Sequence, residues 1–231
     1  MTKVEENIIR LKEEVSGTCQ KLGRNPSEIV LVAVTKLASR EFIQQALEAG
    51  ITDIGENKVQ EALKKYQDLQ GPSRFLKRHM IGHLQTNKVK QALKIFDFVQ
   101  SVDSLKLARE LEKELQRLNR SLDILIQVNT SREKQKFGVD QSQALGLIQE
   151  IGSLKNLKVV GLMTMAPLTE DEGAIGRCFR DLKKLHDQVQ REFEGSPHIQ
   201  MKFLSMGMSG DYRIALQEGS NMIRIGRAIF K

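Results

Sequence analysis

The sequence predicts an α/β protein, a single closed (β/α)8 TIM-like barrel with an extra helix at its N-terminus. Three observations predict it. Short apolar runs rich in β-branched residues, IVLVAV at 29–34 foremost, read as strands buried on both faces, the signature of a parallel sheet. These strands alternate with helical segments throughout. Eight such units also fit within 231 residues, a length at which α/β barrels close as one domain. An open doubly wound sheet is the alternative, but no G-x-G-x-x-G follows the first strand.

The elements follow in order. Residues 3–22 form an amphipathic helix, with Ile8, Leu11, Val15 and Leu22 at helical spacing. Gly23 ends it and Asn25-Pro26-Ser27 turns the chain into strand 29–34. Ser39 opens a helix that stops at Gly50, and a short strand at 52–54 leads to a helix over 57–69, broken by Gly71-Pro72. Strand 78–81 precedes a helix at 86–94, and strand 96–100 precedes a helix capped by Asp103 or Ser104, with Leu107, Leu111, Leu115 and Leu118 along one stripe. Strand 122–128 is followed by helix 141–151, strand 157–163 by a long helix over 170–193, and strand 201–205 by a helix from Ser209 to Gln217. The eighth strand, 221–225, carries no helix after it. No linker or low-complexity stretch divides the chain, so residues 1–231 are expected to be one domain.

Composition narrows the function. There is no apolar run near the ~18 residues of a membrane span, and the N-terminal MTKVEENIIRLKEE lacks a secretory apolar region. Two cysteines, Cys19 and Cys178, make no disulfide framework, so a cytoplasmic protein is expected. The net charge of +7 invites a nucleic-acid partner, but the positive residues are interleaved with carboxylates and no basic run or RNA-binding motif occurs. A basic surface equally suits a protein that binds small anions.

In a barrel the chemistry lies where strands end. Lys36 directly follows the first strand; an apolar setting for its stem would lower its pKa and make a neutral amine available for a Schiff base. The alternative is a lysine that simply extends from the rim into solvent. After the seventh strand, SMGMSGD (205–211) is a glycine-rich turn opening a helix, and Gly226-Arg227 follows the eighth. Loops at those two places often hold phosphate, although Ser209 and Gly210 could equally cap and turn. Arg224, facing inward, needs an acceptor, either a ligand's ring nitrogen or an internal carboxylate. A protonated arginine would keep a pyridine nitrogen unprotonated and weaken that ring as an electron sink. His79 and His83 are four apart but sit on a strand and its loop, so no metal site is expected. Cys178 reads as a small buried hydrophobe, and Met163, Met165, Met206 and Met208 as core or pocket lining.

These segments together resemble the YggS/PROSC family, the pyridoxal phosphate homeostasis proteins: LVAVTK (31–36), GENKVQEA (55–62), HMIGHLQTNK (79–88), QVNTSREKQKFG (127–138), GLMTMAP (161–167), LSMGMSGDYRIAL (204–216) and GSNMIRIGRAIF (219–230). They span nearly the whole chain in order. The resemblance implies a barrel of the alanine-racemase N-terminal kind (PLP fold type III), with pyridoxal 5′-phosphate (PLP) held as an internal aldimine on Lys36. It implies phosphate binding by Ser209 and the Gly226-Arg227 backbone, Arg224 facing the pyridine nitrogen, and Asn57, His79, Met163 and Ser205 lining the pocket. It further implies a role in vitamin B6 and amino-acid homeostasis without robust catalysis. Arg78, Lys58 and Asn221 depart from the residues the family often carries there.

The competing expectation is a PLP-dependent amino-acid racemase. Racemisation by two bases needs a second acid/base opposite the lysine. The racemases of this fold take it from an additional domain of a dimer partner, whereas Tyr66 and Tyr212 are the residues available here. A Schiff-base aldolase using Lys36 without PLP is a related alternative. The expected state is a monomer that binds PLP and amino acids, with no nucleic-acid or membrane partner.

Overall fold

The computed structural model describes residues 1–66, 69, 76–131, 133 and 135–231. Its strands are β1 (Val30–Val34), β2 (Asp53–Glu56), β3 (Lys77–Met80), β4 (Phe98–Val102), β5 (Leu122–Asn129), β6 (Val139–Asp140), β7 (Leu157–Met163), β8 (Ile199–Ser205) and β9 (Met222–Ile225). All pairings are parallel. Going round from β1 the order is β2, β3, β4, β5, β7, β8, β9, and the last pairs back onto β1. Eight strands thus close a barrel, and the two-residue β6 is appended to β5.

The helices are α1 (Lys3–Lys21), α2 (Arg40–Glu48), α3 (Val59–Tyr66), α4 (Val89–Ala92), α5 (Leu105–Leu118), α6 (Gln141–Gly152), α7 (Glu172–Glu192), α8 (Tyr212–Gln217) and α9 (Arg227–Phe230). Their starts obey capping chemistry. Thr2 and Glu5 make a reciprocal capping box on α1, and Ser39, Ser104, Asp140 and Asp171 cap α2, α5, α6 and α7. The extra helix α1 packs on α2, α8 and α9; Asn7 donates to the Ile229 carbonyl, while Arg24, just beyond the helix, donates to those of Leu216 and Ser220. None of the described helices is long and apolar enough to cross a membrane.

Strand alternation divides the apolar side chains into two groups. Ala33, Ile54, Val99, Ile124, Leu162, Leu204, Ile223 and Ile225 face outward and pack under the helices. Val32, Phe98, Leu125, Val160, Met163 and Met222 fill the barrel interior with Val30, Met165 and Phe203. The interior also holds polar residues, which position the site.

The structure departs from the sequence expectations at several elements. The fourth strand runs two residues later than 96–100, because Phe96 is fully buried among the shell residues that pack under the helices. The helix expected from Ser209 begins at Tyr212, the eighth strand of the barrel is followed by the one-turn α9, and β6 was not anticipated. The end of the helix expected over 57–69 and its Gly71-Pro72 break lie outside the described residues.

Candidate functional site

Neighbouring strands bring most of the sequence-predicted residues to one rim. Consecutive around it come Met163 and Thr164 (β7), the 205–211 turn (β8), Gly226-Arg227 (β9), Lys36 (β1) and Asn57 (β2). All lie at or just beyond the C-terminal ends of their strands.

The backbone carrying Lys36 is clamped while its side chain is not. Lys65 Nζ on α3 donates to the carbonyls of Thr35 (2.8 Å) and Lys36 (3.1 Å) and to Glu56 Oε2 (3.1 Å). Glu56, buried at the end of β2, also accepts from the Asn57 N–H at 2.8 Å. The Thr35 hydroxyl lies 2.6 Å from that of Tyr66. Lys36 itself is exposed, and its amine has no hydrogen bond or ion pair among the described residues. The apolar surroundings expected for its stem are therefore absent: the two residues after β1 carry Lys36 clear of the barrel wall.

The turn after β8 is built tightly. Asp211 accepts from the Met208 N–H, and the N–H groups of Asp211 and Tyr212 return to the Met208 carbonyl. Gly207 sits at φ +99°, where a Cβ would stand 2.7 Å from that of Ala215. Ser209 does not cap α8, the alternative its position offered. Its Oγ accepts from the Ala228 N–H at 3.3 Å, which ties this turn to the start of α9 and leaves the hydroxyl proton free to donate. Among the described residues, the N–H groups of Ser209, Gly210, Gly226 and Arg227 have no acceptor. Convergent N–H donors beside an exposed arginine form an anion cradle. A Cβ on Gly226 would approach the Val34 carbonyl to 3.3 Å, so a side chain there would crowd the cradle against β1. A cavity of about 490 Å3 opens beside it, lined by Ser209, Gly210, Arg227, Arg10 and Arg213 among others. Two larger clefts, beside the α7–β8 junction and between α6 and α7, lie away from these residues.

Arg224 points into the interior and is almost wholly buried, which pushes its pKa down to about 10, with Asp211 opposing the shift. Among the described residues neither an internal carboxylate nor any other anion bonds it, so one of the two acceptors weighed for it is not found there. Its Nη1 donates to Ser205 Oγ (2.6 Å) and its Nη2 to the Thr164 carbonyl (2.7 Å). Ser205 donates to Gln100 Oε1 (2.7 Å), Gln100 Nε2 lies 3.0 Å from His79 Nδ1, and His79 Nε2 lies 2.8 Å from Asp53 Oδ1. Burial pushes Asp53 up, but the bond from His79 and that from Thr52 outweigh it and hold the carboxyl below its usual value. His79 and Ser205 are thus fully buried members of an internal chain, and Met163 is buried in the interior apolar group. Gln100 and Asp53 were missed by sequence reasoning; inward parity on β4 and β2 was the available signal.

The remaining titratable groups are committed elsewhere. Burial pushes the Tyr66 phenol well up, and it lies on the outer side of the wall against Phe96. Tyr212, raised by burial and by its bond to Glu14, donates to that α1 carboxylate. Cys178 is buried with its sulfur 2.9 Å from Thr130 Oγ. His83 stacks on Phe137.

The rim therefore offers a free amine, a cradle of N–H donors and a buried cation with spare donors. Such a set fits a ligand bearing an aldehyde, a phosphate and a ring nitrogen that accepts. The alanine racemase N-terminal domain family matches residues 10–231. The pyridoxal phosphate homeostasis protein of Aquifex aeolicus is 36% identical over 225 residues, covering 97% of this chain and 96% of its own. PipY of Synechococcus elongatus, solved with PLP bound, is 30% identical, with a TM-score of 0.81 over 94% of this chain and 100% of its own. An alanine racemase of Clostridium difficile shares the fold at 12% identity and a TM-score of 0.75, over 98% of this chain and 56% of its own.

Proposed function

The chain belongs to the pyridoxal phosphate homeostasis protein family, built on the alanine racemase N-terminal fold; from that premise we propose that it binds PLP, as its relative PipY does, and that Lys36 is the residue that holds the cofactor. The carrying observation is an unpaired amine on a clamped backbone, one strand away from the anion cradle. The Lys36 amine condenses with the cofactor's aldehyde and one water leaves. The N–H groups of Gly226 and Arg227 and the Ser209 hydroxyl take the phosphate. Arg224 donates to the ring nitrogen. Asn57 borders the rim beside Lys36, and Met163 supplies apolar floor.

PLP supplies an electron sink when bound. Arg224 limits it, because a donor that stays protonated at neutral pH leaves the ring nitrogen unprotonated. The role is homeostasis of vitamin B6 and amino acids, and we place it outside catalysis. The racemase reading needs a second acid/base, and both tyrosines that could serve are already hydrogen-bonded to protein groups, Tyr66 with Thr35 and Tyr212 to Glu14, with raised pKa values. The proposed protein is one barrel domain over residues 1–231, monomeric and cytoplasmic, with PLP and free amino acids as its partners.

The test is the absorbance of the purified protein with PLP, followed by borohydride reduction and peptide mapping. The expected result is a violet-region band and a reduced label on Lys36, both lost in Lys36→Ala. A label on another lysine would overturn the placement. Exchange of an amino acid's α-proton in deuterated water at stoichiometric protein would overturn the non-catalytic role.

A further inference from the structure

The polar chain through the barrel runs from Arg224 on β9 through Ser205 on β8, Gln100 on β4 and His79 on β3 to Asp53 on β2. Its donor direction is determined at both ends. Arginine has only donors, so Ser205 Oγ accepts from it and must spend its single proton on Gln100. The Gln100 amide then presents its oxygen to Ser205 and its nitrogen to His79. His79 Nδ1 accepts, which puts the ring proton on Nε2, where Asp53 takes it. With the amide reversed, two donors would meet at Ser205, its own proton would lack an acceptor, and a bare His79 nitrogen would face the Asp53 carboxylate. For groups this deeply buried, such mispairing is costly.

Gln100 is fully buried and is the one member that presents an acceptor to one neighbour and a donor to another through a rigid amide. Arg224 uses one N–H on Ser205 and one on the Thr164 carbonyl, which leaves three of its five donors without a partner among the described residues. Those three are what a ligand can meet. We propose that Gln100 is a positioning residue for the ring-nitrogen contact: through Ser205 it fixes the guanidinium so that its remaining donors serve a ligand at the rim. The inference rests on the assignment of Arg224 to the PLP ring nitrogen.

The experiment compares PLP with its 1-deaza analogue, in which a C–H replaces the ring nitrogen. Affinities are titrated on the wild-type chain, Gln100→Leu and Gln100→Glu. The wild type is expected to prefer PLP. Gln100→Leu weakens PLP roughly tenfold, the loss of one bond to a charged group, while the analogue changes less than about twofold. Gln100→Glu keeps the acceptor toward Ser205 and retains the preference, and it forces His79 to take a second proton. Nitrogen NMR of His79 in the cofactor-free protein is the independent readout, expected to show Nε2–H in the wild type and an imidazolium in Gln100→Glu. Equal weakening of both ligands in Gln100→Leu would mean a packing role only and overturn the proposal. So would a wild-type His79 protonated on Nδ1. A wild type with no preference for PLP over the analogue would instead overturn the Arg224 assignment.

Discussion

Replacing Arg224 with methionine separates the requirements of the fold from those of the ligand. A guanidinium ordinarily stays protonated to very high pH, and burial pushes this one down to about 10. At about 1.4 kcal/mol per pH unit, keeping the charge inside costs the fold roughly 3 kcal/mol. The sign follows from a basic group with a depressed folded value: the cost is fully present below about 10 and disappears as the pH rises above it toward the ordinary guanidinium value. Against it stand the bonds to Ser205 and the Thr164 carbonyl, each about 1.5 kcal/mol as charge-assisted bonds. The two sums nearly cancel, so Arg224→Met should change the stability of the cofactor-free protein by less than about 1.5 kcal/mol. Breaking a true buried ion pair costs roughly 3–5 kcal/mol. The ligand should register the substitution much more strongly. PLP at 100 times its dissociation constant stabilises by about 2.7 kcal/mol, and an affinity about 30-fold weaker would leave about 0.9 kcal/mol. Urea unfolding followed by far-UV circular dichroism, with and without PLP, measures both; the chain has no Trp for a fluorescence signal. A cofactor-free loss above about 3 kcal/mol, or an unchanged gain from PLP, would refute the reasoning.

Ser209→Ala should weaken PLP roughly tenfold, by one hydrogen bond to an anion, while binding of unphosphorylated pyridoxal stays level; equal effects on both would remove Ser209 from the phosphate. Gly161→Ala should cost on the order of 3 kcal/mol in urea unfolding, because φ is +154° and its Cβ would fall 1.9 Å from the Phe203 carbonyl oxygen. Asp53 is held below its usual 3.8, so its stabilisation is present above that value and is lost as pH falls through the folded one. Asp53→Asn should therefore flatten the acid limb of stability against pH, and an unchanged slope would refute the role given to the His79 bond.

The barrel was legible because its strands announce themselves locally. Runs such as 122–128 and 157–163 are mostly apolar and almost wholly buried, and the second matches its strand to the residue. Phe96 misled for the same reason: an aromatic beside Phe98 looks like a strand start, yet it packs in the shell under the helices. The rim residues were legible because loops after strands are where polar groups collect. Gln100 and Asp53 were not, since a polar residue at an inward position reads as the end of a strand, and only the pairing across the barrel shows what answers it. From spacing alone Ser209 reads equally as a phosphate ligand or as a cap, because serine before a helix is often one. The turn ended three residues later, which freed Ser209 to join the start of α9.

The exposure of Lys36 contradicts the expectation of a desolvated amine and also bears on the kind of function proposed. A lysine that acts as a general base gains from burial, which lowers its pKa and shields the reaction from water. A lysine that loads and releases a cofactor gains from the opposite. An incoming amine, whether from an amino acid or from a protein lysine, must reach the same carbon and displace it, and a clamped backbone with a solvent-exposed side chain permits that approach. The proposed contact of Arg224 with the ring nitrogen points the same way, because a ring nitrogen that only accepts gives little help in stabilising a carbanion. On the proposed assignment, the phosphate and the ring nitrogen of PLP fall to the turn after β8 and to the buried Arg224, and the reactive end is left open. That division suits retention and exchange of the cofactor better than turnover on it.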